Sequence, residues 1–179
     1  IMLSDPGDLP ADERVARAAD GLMELARRTQ ELDAALSLYN HGGWAGQPET
    51  LIAVCQELHS RGFKHVGIAY NFHHAHDRIA DWPKIFPQLK PWLHCLNING
   101  MNDGAQPKIL ALGQGQHERA MLRVVLEHDY QGPIGILDHQ EELDSRIALQ
   151  ANLTGLAEIT REFQSESAEA TPPPKSPES

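Results

Sequence analysis

Three histidines, His73, His74 and His76, fall within four positions of one another, just after the apolar run 66–71. His41 closes a second apolar run and His139 a third. A neutral imidazole can take a metal ion or move a proton near pH 7. His73 and His76 read as solvated loop residues, whereas His41, His74 and His139 come from three separate strand ends and make a candidate site where they converge. Asn71 precedes His74, and Asn97 and Asn99 alternate along the next apolar run. Amide side chains both donate and accept hydrogen bonds, which suits them to polyols and equally to loop backbone. Arg78 and Lys108 lie near these loops, each a surface charge first and an attractor of anionic groups second. Gly113-Gln114-Gly115 lacks the lysine of a P-loop and the pattern of a dinucleotide fingerprint, so it reads as a loop shaping a rim.

Strands and helices must alternate to bring these residues together. Val15, Ala18, Leu22, Leu25, Ala26 and Leu32 give residues 11–32 a helical stripe. A strand at 35–41 ends at Gly42-Gly43, and a helix opened by Pro48 carries Leu51, Val54, Cys55 and Leu58 on one face before Arg61-Gly62 closes it. Strand 66–71 leads through the histidines to a helix at 82–90, which Pro83 opens and Pro87 disturbs. Strand 93–99, a long loop at 100–116, a helix at 118–128, strand 132–138 and a helix at 141–163 follow. Residues 1–3 read as the end of a further strand, and 164–179, rich in Ser, Glu and Pro, as a disordered tail.

Repeated β-α units imply an α/β fold with a parallel sheet, whose functional groups gather at the carboxyl ends of its strands. A closed barrel of this kind needs eight strands and roughly 250 residues. The four units here are half of one. Such a half exposes strand edges and apolar surface, which calls for a second copy or an amino-terminal half-barrel beyond this sequence.

Side chains alternate along a strand. Val66, Ile68 and Tyr70 suit the helix layer, leaving Gly67, Ala69 and Asn71 inward; Leu96 and Ile98 likewise leave Cys95, Asn97 and Asn99 inward. On the first strand Leu36 and Leu38 suit the helices, so Ser37, Tyr39 and His41 face in. On the last, His139 or Asp138 reaches the mouth, depending on where the strand ends.

The chain has 179 residues, 41% hydrophobic, and a net charge of −10 with histidines neutral. That charge removes the general attraction to phosphate backbone, so nucleic acid is not an expected partner. No apolar run approaches the roughly 20 residues that span a membrane. No leader is in view, which makes the cytoplasm the default compartment, although a chain beginning at Ile1 leaves its natural start open. Cys55 and Cys95 read as buried free thiols.

The motifs taken together resemble the carboxyl-terminal half of the xylose isomerase-like barrel superfamily, which includes sugar isomerases, sugar epimerases and family 2 AP endonucleases. The resemblance covers residues 11–160. It rests on Leu-Tyr-Asn-His-Gly-Gly at 38–43, Asn-Phe-His-His at 71–74, Leu-Asn-Ile-Asn-Gly at 96–100, Leu-Gly-Gln-Gly at 112–115 and Tyr-Gln-Gly-Pro-Ile-Gly at 130–135. It implies a small-carbohydrate ligand and proton transfer next to a carbonyl. Active members bind a divalent cation through Glu, Asp, His and Glu on successive strands. Here Tyr39 stands in the first place, Asn71 in the second with His74 retained beside it, Asn97 in the third, and Leu137 or Asp138 in the last. Neutral side chains serve a dication poorly, so a metal is disfavoured and the cofactor is unknown. The expected site is therefore His41 and His74 as proton-transfer groups, with Tyr39, Asn71, Asn97, Asn99, Asp138 and His139 around the sugar. The alternative is an inactive, metal-free carbohydrate-binding or scaffold domain derived from such an enzyme. An endonuclease is the poorest fit, since the chain is acidic and lacks the ligands.

Overall fold

The computed structural model describes residues 1–140 and 142–170, with side chains described as far as 166. Its centre is one sheet of four parallel strands in the order β1 (Leu36–Tyr39), β2 (Val66–Asn71), β3 (Leu93–Ile98) and β4 (Ile134–Ile136). Helix α1 (Ala11–Glu31) precedes β1. Helices α2 (Pro48–Ser60), α3 (Trp82–Leu89), α4 (Glu118–Glu127) and α5 (Ser145–Ala170) follow the four strands in turn. Four consecutive strands pairing side by side, each followed by a helix, are the half-barrel that the alternation implies. Met2 pairs with Tyr39 in a single parallel bridge, which places residues 1–3 beside β1.

Strand periodicity decides the two faces. Leu36, Leu38, Val66, Ile68, Tyr70, Leu96 and Ile98 are buried in the helix-facing core, each worth roughly 1.5–3 kcal/mol of transfer from water for the larger side chains. Alanines 18, 19 and 26 beside Leu22 give α1 a small-residue stripe. Trp82 packs between Tyr70, Phe72 and Phe86 and donates its indole N–H to Met121 O at 3.0 Å.

Several boundaries differ from the sequence reading. β1 and β4 are shorter, and the last helix begins at Ser145, where the Asp144 carboxylate accepts from Arg146 N at 2.9 Å and caps the first turn. It runs to Ala170, past Phe163; residues 171–179 of the expected tail lie outside the described residues. Pro87 is accommodated inside α3, after which Lys90–Trp92 tighten into a 3-10 turn. Cys95 is half-buried on the inner face rather than fully buried. Among the described residues no helix is long and apolar enough to cross a membrane.

Candidate functional site

The carboxyl ends of β1, β2 and β4, with the loop after β3, surround a cleft of about 440 Å³ lined by Tyr39, His41, His73, His74, Lys108 and His139 among others. Tyr39 is the last residue of β1, and His41 follows in the turn. After Asn71 a 3-10 turn, Phe72–His74, buries Phe72 and turns both imidazoles to the cleft. The Tyr39 hydroxyl and His74 Nε2 share a hydrogen bond of 3.0 Å. The His41 and His74 rings lie 4.7 Å apart between centroids, and the His73 ring lies 3.8 Å from His74 and 5.4 Å from His139. The expected convergence of His41, His74 and His139 is therefore present.

His73 corrects the sequence reading. It is 3% exposed, a member of the cluster rather than a solvated loop residue. His76 is half-buried, and its Nδ1 donates to His73 O at 3.1 Å. The choice between Asp138 and His139 is also decided. His139 lines the cleft, whereas Asp138 accepts from Gln140 N and Asn152 Nδ2, both at 2.9 Å, which ties it to α5.

Burial disfavours the charged imidazolium. It is the main reason that His73 is pushed down to about 3 and His74 to about 4; the Lys108 charge adds to both, as do neighbouring imidazoles. Burial also lowers His76 and raises the Tyr39 phenol. Near pH 7 these three histidines are neutral, able to accept a proton or to donate one N–H.

Below the cleft runs a chain of amides. Asn40, in alternation with Leu36 and Leu38, is buried and grips the end of β2: it accepts from Asn71 N at 2.7 Å and Asn71 Nδ2 at 3.2 Å, and donates to Asn71 O at 2.9 Å. Asn71 Oδ1 accepts from Asn97 Nδ2 at 2.7 Å, and Asn97 Oδ1 accepts from Cys95 Sγ at 3.3 Å. Asn99 is wholly buried, donating to Gly100 O at 2.8 Å. None of Asn71, Asn97 and Asn99 lines the cleft itself.

Two other motifs turn out to be internal. Gly113 N and Gly115 N donate to Glu118 Oε1 at 3.0 and 2.8 Å, and Met101 N donates to Oε2 at 3.0 Å. The glycine loop thus cradles an anion, but the anion is its own buried carboxylate. Arg78 is bound to Glu49 at 2.6 Å and stands outside the cleft. At the opposite end of the sheet, His94 Nδ1 meets Ser37 Oγ at 2.9 Å. A register shift between Ile68 and Ala69 makes His94 an extra residue and turns it to the inner face, where a Cβ on Gly67 would come within 2.4 Å of its ring. The mid-strand glycine was the sequence sign of that approach.

The positions at which the resemblance expects metal ligands hold a different kind of group. Asn71 and Asn97 are consumed by each other, by Asn40 and by Cys95; Tyr39 is engaged by His74, and Asp138 by Gln140 and Asn152. Among the described residues no group of three or more His, Cys, Asp or Glu is placed to hold a metal ion. A neutral, internally satisfied amide pair offers a dication neither charge nor free lone pairs, so this donor set does not fit the divalent ion.

Sheet order and strand direction together define half of a parallel (β/α) barrel with the cleft at the strand carboxyl ends. The fold is that of the xylose isomerase-like TIM barrels. A D-tagatose 3-epimerase-like protein matches with a TM-score of 0.68 at 17% identity, over 93% of this chain and 61% of that one. The 3-keto-D-glucoside 4-epimerase YcjR from E. coli matches at 0.64 and 16% identity, over 88% and 57%. The IOLI protein with a binding zinc atom matches at 0.66 and 13% identity, over 91% and 61%. This chain therefore spans between 57% and 61% of the length of these structures. No protein-family model and no curated protein matches the sequence.

Proposed function

We propose that the mouth binds a small carbohydrate as part of a sugar isomerase/epimerase-like barrel, with His74 moving a proton next to the substrate carbonyl. The observation that carries this reading is the Tyr39–His74 hydrogen bond in a cleft walled by His41, His73 and His139. Tyr39 orients the imidazole, neutral His74 accepts the proton, and His41, 4.7 Å away, returns it. The Lys108 ammonium and the Tyr39 hydroxyl stabilise the enediolate. The amides of Asn71, Asn97 and Asn99 act beneath the sugar, as the floor that holds these side chains. Similarity to sugar epimerases supports the ligand class.

A second reading, binding without turnover, is favoured by the internally satisfied Asn71–Asn97 pair, which removes the usual means of acidifying the C–H bond. A base whose conjugate acid lies near 4 abstracts such a proton slowly unless the carbonyl is strongly polarised. In either case the exposed Ile134, Leu149 and Leu153, at 47%, 50% and 46%, support completion of the barrel by a further half, from a longer chain or a second copy.

The test is calorimetry together with proton exchange in D2O over a panel of ketoses and aldoses, using the full-length protein and His74→Ala. Exchange that disappears in His74→Ala supports the catalytic reading. Binding without exchange supports the second, and the absence of both refutes the carbohydrate assignment.

A further inference from the structure

We propose that the sugar taken by this cleft carries an anionic group, a carboxylate or a phosphate; the inference rests on the carbohydrate reading above and narrows it. The chain has 25 acidic and 15 basic residues, so an arbitrary surface depression should be lined by carboxylates. This one is lined by none: among the described residues, Lys108 is the single formally charged side chain in its wall. The nearest strand-end carboxylate, Asp138, is turned away and held by Gln140 and Asn152.

Other cations of the surrounding loops are spent. Arg78 is paired with Glu49 and Asp81, and Arg119 with Glu162. No carboxylate of the described residues pairs with Lys108. Its charge is instead felt by His73, His74 and His76, where it opposes protonation. Lys108 is exposed, so water solvates its ammonium in the open cleft, and an anion bound there would gain a charge-assisted contact in exchange. His73 gives an independent sign of a missing partner: 3% exposed and part of the cleft wall, it has a buried Nδ1 with no hydrogen bond.

The chemistry suits an oxyanion attached to a polyol. The lysine offers three donors, and the imidazoles and the Tyr39 hydroxyl add neutral ones. A charge-assisted contact of this kind is stronger than a neutral one and is not matched by a sugar hydroxyl. A neutral sugar would fill the cleft without that contact.

Titration calorimetry on the full chain separates the possibilities, using D-glucuronate, D-fructose 6-phosphate, their neutral parents D-glucose and D-fructose, and inorganic phosphate. The expected result is an affinity about ten-fold higher for at least one anionic sugar than for its parent, the lower end for a hydrogen bond to a charged group. That preference shrinks with added salt, survives in Lys108→Arg and vanishes in Lys108→Met. Whether glucuronate or the phosphate gains more distinguishes the two anions. Equal affinity for anionic and neutral sugars overturns the inference and leaves carbohydrate binding standing. Inorganic phosphate binding as tightly as the sugar phosphate overturns the carbohydrate reading instead. A preference unchanged in Lys108→Met overturns the role of the lysine.

Discussion

Replacing Asn71 by aspartate puts a carboxyl group where the resemblance expects one, inside a site built for an amide. The Asn71 side chain is wholly buried; its Oδ1 accepts from Asn97 Nδ2 at 2.7 Å and its Nδ2 donates to Asn40 Oδ1 at 3.2 Å. A protonated aspartic acid reproduces both bonds, with O–H toward Asn40 and the carbonyl toward Asn97. The ionised form does not, because its second oxygen meets Asn40 Oδ1 lone pair against lone pair. Burial and this repulsion raise the folded carboxyl above its ordinary ~3.9 by about 2 units, with the Asn97 donor limiting the rise. A carboxyl raised in the folded state leaves stability intact below pH ~4 and removes it as the pH climbs to about 6. Above that, Asn71→Asp is expected to cost about 2.7 kcal/mol and to lower Tm by about 5–11 °C. Thermal and urea unfolding of both proteins from pH 4 to pH 8 measures it. A loss that is the same at both ends of the range, or no loss at pH 8, would refute the claim that this position is committed to a buried amide network.

The buried Glu118 carboxylate answers three backbone N–H groups, from Met101, Gly113 and Gly115. Glu118→Gln forces an N–H against one of them and should cost about 2–3 kcal/mol in urea unfolding, with the 100–116 loop becoming sensitive to protease; a change under about 0.5 kcal/mol would contradict the cradle. Acid should also weaken the fold. With His74 held near 4 and His73 near 3, the unfolded chain takes up protons below its ordinary 6.5 while the folded chain does not. Stability is thus full above pH ~6.5 and falls as the pH drops toward 4. His74→Asn should flatten that slope, and a slope identical to that of the unsubstituted protein would show that His74 is not held neutral.

Much of the rim was legible because strand alternation is local. Tyr39 and His41 share one face by parity, and strand direction alone puts His74 at the same end, whereas parity left the choice between Asp138 and His139 open. Parity failed at His94, where one extra residue opposite Ile68 and Ala69 reverses the side on which the imidazole falls. It also failed to value Asn40, whose importance lies in gripping Asn71 thirty-one residues away. His73 looked like a solvated loop residue because polar loop composition says nothing of the 3-10 turn that folds it back against His74 and His139.

The sequence by itself determined the order of β-α units, the inward and outward faces of most strand positions, and the neutral side chains Tyr39, Asn71 and Asn97 at the first three expected ligand places. These depend on residue type and on periods of two and 3.6, which each segment carries within itself. Only the tertiary structure decided that Asn40, Asn71 and Asn97 are bonded to one another, that Asp138 belongs to α5 and His139 to the mouth, and that Lys108 stands unpaired beside neutral imidazoles. Such outcomes depend on which loops meet and on how much water is excluded when they do, and neither quantity is written in any one stretch of chain.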